Sequence, residues 1–252
     1  MEEITSTKNP YIKELRSLKE RKNRRALGKF IAEGEKCALE ALHYGQVESV
    51  LAAEDSPAAR EALERGVRTI RVSRAVLEAV CEARHPQPSL AVVRQKAETP
   101  PEETPPGIYV ALENVSDPQN VGTIIRTADA VGAAGILVSR GSADYTGPKA
   151  VRAAMGSVFH LPIWVAEDFS AVLKKWKDQG MFLVAGHLKG GEAPIPEKPR
   201  LCVLIGNEAD GLLDETSQMA DLLYKIPIYG RAESLNAAVA AGILLYRART
   251  GR

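Results

Sequence analysis

Three stretches of the chain place polar side chains where a short apolar run has just ended. The first, ENVSDPQNVGTIIRTADAVGA from Glu113 to Ala133, follows IYVAL and carries Asn120 and Arg126. A guanidinium on the early turns of a helix at a sheet's carboxyl edge can meet a phosphate or ribose oxygen. The second, LCVLIGNEADGL, sets Gly206 directly after an apolar run and continues with Asn207, Glu208 and Gly211. Glycine lets backbone approach a ligand, exposed amides at such a turn can hold a carboxylate or an adenine edge, and Glu208 adds an acceptor. The third, KIPIYGRAESLNAAVAAGILLYR from Lys225 to Arg247, turns at Gly230 and presents Ser234 and Asn236 ahead of an Ala-rich helix. Taken singly, each has a plain alternative: Asn120, Ser234 and Asn236 as helix caps, Arg126 as a surface charge, GNEADG as an ordinary loop.

The elements that must position these residues follow from hydrophobic patterning. Continuous apolar runs at Ile108 to Leu112, Gly135 to Val138, Phe182 to Ala185, Leu201 to Ile205 and Leu223 to Ile226 predict strands, with helices between them. That alternation predicts a parallel sheet covered on both faces, with ligands collecting at the strands' carboxyl ends. Upstream, short runs at Phe30 to Ala32, Val47 to Ala52, Thr69 to Val72 and Leu90 to Val93 alternate with helical patterns at Glu35 to His43, Pro57 to Arg65 and Arg74 to Cys81, a smaller α/β domain. The segment AETPPEETPPG, residues 97–107, holds four prolines and three glutamates and reads as the linker between domains 1–96 and 108–252.

Composition narrows the function. With 45% hydrophobic and 26% charged residues in 252, the chain is of ordinary globular type. Its net charge of +1 hides a basic stretch, Lys8 to Lys29, in which nine Lys and Arg face only Glu14 and Glu20. Residues 10 to 26 read as one basic helix, and Arg16, Lys19, Arg21, Lys22, Arg24 and Arg25 are the candidates for gripping a polyanion's phosphates, with a solvated helix face as the alternative. Cys37, Cys81 and Cys202 lack CxxC pairing, and His43, His85, His160 and His187 lack ligand spacing, so no metal site is expected. There is no GxGxxG after a strand, no GxxxxGK[ST] and no GxSxG, which disfavours dinucleotide, P-loop and serine-nucleophile chemistry. No apolar run approaches the roughly 20 residues of a membrane span, and the amino terminus has no export signal; a cytoplasmic location is expected.

Together and in this order, the three stretches resemble the motifs of SpoU or TrmH-type RNA 2'-O-methyltransferases, a branch of the SPOUT superfamily. The resemblance runs from about Ile108 to the end, and KAVRAAMGSVFHLPI, Lys149 to Ile163, looks like the family's connecting segment. One departure is Ser234-Leu235-Asn236-Ala237-Ala238, where the family commonly has Ser-Leu-Asn-Val-Ser. The resemblance implies a parallel α/β catalytic domain with a deep trefoil knot, S-adenosylmethionine bound within it, and a homodimer. Connection rules alone argue for an unknotted sheet, so the knot is implied by likeness only. By the same likeness Asn120, Arg126, Glu208, Ser234 and Asn236 form the catalytic neighbourhood. Backbone near Gly206, Ile226 and Leu235 would hold the cofactor, with Asn207, Gly211 and Gly230 beside it. Residues 1–96 resemble a ribosomal-protein-like RNA-binding module. The implied activity is methyl transfer to a ribose 2'-hydroxyl of structured RNA, with 23S ribosomal RNA favoured over tRNA; a tRNA enzyme and a noncatalytic RNA-binding protein are the alternatives. Arg126 is the family's proposed base. A guanidinium, which seldom gives up its proton in proteins, better serves to stabilise the forming alkoxide, with Glu208 orienting Arg126 or the cofactor and Asn120 and Asn236 fixing ribose and backbone.

Overall fold

Runs of Val, Ile and Leu alternate with Ala-, Glu- and Lys-rich stretches along the chain, and this period is carried into space by the computed structural model, which describes residues 2–96 and 99–251. Residues 97 and 98, the start of the expected linker, lie outside the described residues. Two compact units result: Met1–Ala97 with Asp144–His160, and Glu98–Ala143 with Leu161–Arg252.

In the first unit β1 (Glu2–Ile4), α1 (Pro10–Ser17), α2 (Arg21–Leu27), β2 (Lys29–Glu33), α3 (Glu35–Tyr44), β3 (Gln46–Ala52), α4 (Pro57–Glu64), β4 (Arg68–Val72), α5 (Arg74–Val80) and β5 (Ser89–Arg94) follow in order. Their sheet runs β1-β4-β3-β5-β2, with β5 antiparallel to both of its neighbours. One face packs Ile12, Leu15 and Leu18 against Val76 and Leu77; the other packs the small residues Ala38, Ala41, Ala58 and Ala62 close to the strands. Asn9, Ser56 and Ser73 cap α1, α4 and α5 through side-chain oxygens, each accepting from an amide of the first turn.

The single basic helix expected over residues 10 to 26 is two helices, and Arg24 shows why. Leu18, Lys19 and Glu20 donate to carbonyls three residues back, tightening the chain out of α-geometry. The Arg24 Nη1 then takes the Leu18 and Lys19 carbonyls, both at 2.8 Å, while its Nη2 pairs with Asp144 at 2.7 Å. Arg24 is only 4% exposed. It therefore leaves the set of phosphate-contacting candidates and acts as an internal clamp, tying Asp144–His160 to its unit. Removing one partner of a buried pair typically costs about 3–5 kcal/mol. Arg24→Ala is accordingly expected to lower the denaturant midpoint by an amount corresponding to that loss, and an unchanged midpoint would contradict the clamp.

The second unit carries β6 (Gly107–Leu112), α6 (Pro118–Ala130) and β7 (Gly135–Ser139). After β7 the chain contributes α7 (Pro148–Ala154) to the first unit, then returns with β8 (Ile163–Ala166), α8 (Phe169–Asp178), β9 (Phe182–Gly191), β10 (Arg200–Ile205), α9 (Asp214–Met219), β11 (Leu222–Tyr224) and α10 (Ala237–Thr250). Six strands in the order β11-β9-β10-β6-β7-β8 pair in parallel throughout. From β6 the chain builds outward to β7 and β8, then crosses over to place β10 on the other side of β6. The reversal lies between β6 and β10, and at such a switch point the loops leaving the strands' carboxyl ends open a crevice. The strand expected at Leu223 to Ile226 ends earlier, at Tyr224, so Lys225 onward is loop.

Candidate active site

Ile205 of β10 pairs in register with Leu112 of β6, so the first two polar stretches emerge side by side. Glu113, the residue after β6, is buried and accepts from the Leu213 amide at 2.8 Å and the Thr216 hydroxyl at 2.5 Å, anchoring the chain that follows β10. The β10 loop closes on itself. Asn207 and Gly211 exchange backbone hydrogen bonds of 2.8 and 3.0 Å, the Asn207 side-chain oxygen accepts from the Ala209 and Asp210 amides, and its Nδ2 donates to the Asn114 carbonyl at 2.8 Å. This closure needs glycine at both ends. A Cβ on Gly206 would fall 2.2 Å from the carbonyl carbon of Gly211, and Gly211 itself sits at φ +73°.

Asp117 caps α6 by accepting from Gln119 at 2.8 Å, which frees Asn120 for another task. Asn120 is buried and its Nδ2 donates to Glu208 Oε1 at 2.8 Å, while its Oδ1 accepts from Asn236 Nδ2 at 2.9 Å. Asn236 in turn caps α10, accepting from the Ala238 and Val239 amides. One residue from each stretch thus forms a continuous chain, Glu208 to Asn120 to Asn236. Glu208 also accepts from the Ser116 amide and hydroxyl, at 3.0 and 2.7 Å, and from the Asp117 amide at 3.2 Å. Partial burial would raise its carboxyl, but the donors Asn120 and Ser116 outweigh that and hold it at about 2, below the ordinary 4.5. Because the folded value is depressed, the network's stabilisation is complete above about pH 4.5 and falls away only as pH drops toward 2.

These loops wall a cavity of about 370 Å³, within the range of about 300–1,000 Å³ usual for small-molecule sites. Of the expected cofactor-side residues, Gly206, Asn207, Gly211, Ile226 and Leu235 line it, as do Glu208, Ser234 and Asn236. Gly230 does not; it lines a neighbouring cavity. Apolar walls come from Ile205, Ile226, Ile228 and Leu235, suited to a flat heterocycle, and the ionised Glu208 favours a cationic ligand. Sequence reasoning missed Gly186, His187 and Leu188, which enter the wall from β9, and Ser116, which holds Glu208.

Arg126 lies on the exposed side of α6, outside the cavity wall, and makes no hydrogen bond or ion pair among the described residues. It lies six positions along α6 from Asn120, about 9 Å along the helix axis. Of the two partners expected for Glu208, Arg126 or the cofactor, Arg126 makes no contact with it here; its oxygens accept from Ser116, Asp117 and Asn120. Hydrogen bonds to charged groups are worth about 1.5–3 kcal/mol, a factor of about 10–100. Asn120→Ala is expected to lower ligand affinity at the cavity by that factor. It should also shift the acid limb of the binding profile upward, as Glu208 loses one of the donors that hold its carboxyl low. A profile that stays flat to the same low pH as the unsubstituted protein would contradict this.

Comparison with known proteins agrees with this geometry. Residues 107–246 match the SpoU rRNA Methylase family, and residues 9–91 match the MRM3-like substrate binding domain. The 23S rRNA (guanosine(2553)-2'-O)-methyltransferase RlmP of Bacillus subtilis is 34% identical, the alignment covering 99% of this chain and all of RlmP. Among solved structures, the AdoMet-bound rRNA methyltransferase from Sinorhizobium meliloti superposes with a TM-score of 0.88 at 35% identity over 98% of this chain and 97% of its own. The SpoU methyltransferase AviRb from Streptomyces viridochromogenes, in complex with AdoMet, gives 0.85 at 30% identity over 96% and 97%.

Proposed function

Because the chain belongs to the SpoU rRNA methylase family, we propose that it transfers a methyl group from S-adenosylmethionine to a ribose 2'-hydroxyl, with 23S ribosomal RNA as substrate. The observation that carries this is the Glu208–Asn120–Asn236 chain set at the wall of a cavity of the right size and polarity. Bound there, S-adenosylmethionine supplies an electrophilic methyl carbon on a positively charged sulfur. Gly206 and Gly211 bring backbone to the cavity without side chains; Ile226 and Leu235 would hold the adenine, and Glu208 would offer the sulfonium a fixed negative charge. Asn120 and Asn236, locked by each other, hold the loops in one arrangement so that an incoming ribose meets preset groups. Ser234 supplies a hydroxyl to the same wall. Among the described residues Arg126 is an unengaged cation, on the helix that carries Asn120, and it stabilises negative charge as the 2'-oxygen loses its proton.

The front domain, 1–96, grips the RNA through Arg16, Lys19, Arg21, Lys22 and Arg25; Arg16, Lys19, Lys22 and Arg25 are exposed. A ribosomal substrate is supported by the likeness to RlmP and to a substrate-binding domain. The linker 97–107 joins it to the catalytic domain 108–252, and the enzyme works in the cytoplasm; among the described residues no helix is long and apolar enough to cross a membrane. Membership of the SpoU family supports a trefoil knot, and the segments that follow β10 and β11 lining one cavity are consistent with it. A homodimer is supported by α10, where Val239 and Tyr246, two turns apart on one side, are 52% and 53% exposed. Titration calorimetry with S-adenosylmethionine separates the enzyme from a noncatalytic RNA-binding relative. The enzyme gives saturable heat near one site per chain; absence of heat supports the binding protein.

A further inference from the structure

A second cavity, of about 390 Å³, adjoins the first and shares Leu188 and Ile228 as walls. None of the groups assigned to the methyl donor needs it. Beyond the shared walls, its lining is of a different kind: Lys225, Glu192, Glu233 and Tyr229, on the loops that follow β9 and β11. Tyr229 is 96% exposed and its hydroxyl makes no hydrogen bond among the described residues, so it contributes nothing to holding the loop. An aromatic ring left in water beside a ligand cavity is a stacking surface without its partner.

We propose that this second cavity seats the base of the nucleotide to be methylated, that Tyr229 is the ring on which the base stacks, and that the base is guanine. The inference rests on the methyl-transfer reading above. A ribose whose 2'-oxygen faces the first cavity carries its base within one nucleotide's breadth, and the shared wall gives base and ribose adjoining compartments. Enzymes and binding proteins that act on single nucleotides hold unstacked bases on aromatic side chains in this way. The polar lining selects among bases. The carboxyl oxygens of Glu192 and Glu233 accept hydrogen bonds, and guanine alone presents two adjacent donors on its Watson–Crick edge, N1–H and N2–H₂, that match both oxygens of one carboxylate. Lys225, on the same lining, is the cation available to the flanking phosphate.

The test uses the full chain, tritiated S-adenosylmethionine and total RNA from cells lacking the protein. Stacking on one aromatic is commonly worth about tenfold or more in affinity. Tyr229→Ala is expected to raise KM for RNA about tenfold or more with kcat and S-adenosylmethionine affinity nearly unchanged, while Tyr229→Phe stays within about twofold of the unsubstituted protein. Glu192→Gln with Glu233→Gln should raise transfer to a short RNA carrying adenosine at the modified position relative to guanosine. The inference is overturned if Tyr229→Ala leaves KM alone, if Tyr229→Phe is as impaired as Tyr229→Ala, or if Tyr229→Ala weakens S-adenosylmethionine binding or changes the oligomeric state. It is also overturned if the methylated nucleotide is not guanosine. No transfer to any RNA by the unsubstituted protein would instead overturn the methyl-transfer reading itself, before any variant is compared.

Discussion

Arg126→Ala is expected to leave the fold and S-adenosylmethionine affinity intact while reducing methyl transfer by about 100- to 1,000-fold, the usual cost of deleting one preset charge stabiliser. The fold is spared because the side chain is exposed and bound to nothing among the described residues. Cofactor affinity is spared because Arg126 is not part of the cavity wall. What is lost is transition-state stabilisation: a ribose hydroxyl is a weak nucleophile, and negative charge grows on its oxygen as the methyl carbon is approached. Arg126→Lys should recover only part of the rate, since an ammonium keeps the charge but not the planar fork of donors. Unchanged kcat in Arg126→Ala would make the residue an ordinary surface cation.

Gly206→Val should have the opposite signature, a loss of cofactor binding of at least about 100-fold with catalysis failing as a consequence. The argument is steric. Atoms at 2.2 to 2.3 Å from a Cβ on Gly206 belong to the backbone of Gly211 and Leu212, which cannot rotate aside, so the loop closed by the Asn207–Gly211 pair must open. Opening it also releases Asn207 from Asn114 and displaces Glu208 from Ser116 and Asn120. Gly230→Ala is the matched control. A Cβ there meets nothing within 4 Å, and the residue lines the neighbouring cavity. Isothermal titration with S-adenosylmethionine distinguishes the two; equal affinities would remove Gly206 from the cofactor site.

Much of the second unit was legible because its strands are buried on both faces, where apolar runs need no alternation to be recognised. The weaker strands were not. Glu2–Ile4 is three residues with two exposed glutamates, and Ile163–Ala166 is only four residues long after Pro162. β9 runs on past Ala185 into HLKGG because Gly191 pairs with Tyr224, a contact between distant residues that no local pattern announces. The split of the first basic helix depends on Arg24 reaching Asp144, 120 positions away, and the same pair explains why Asp144–His160 belongs with the first unit. In the site, residue types and order were visible in three short motifs. Their wiring was not: the Asn236–Asn120 bond joins residues 116 apart, and it gives two asparagines that could each have been read as simple caps a shared role. Gly186, His187 and Leu188 went unread because nothing in their spacing sets them apart from any strand end.

The most direct measurement is to incubate the purified full-length chain with tritiated S-adenosylmethionine and ribosomal RNA from cells lacking the protein, then locate the label by nucleotide. Label on one ribose 2'-oxygen of 23S ribosomal RNA, absent with Arg126→Ala, is the predicted result. Label on a base, or none on any RNA although S-adenosylmethionine binds, would contradict it.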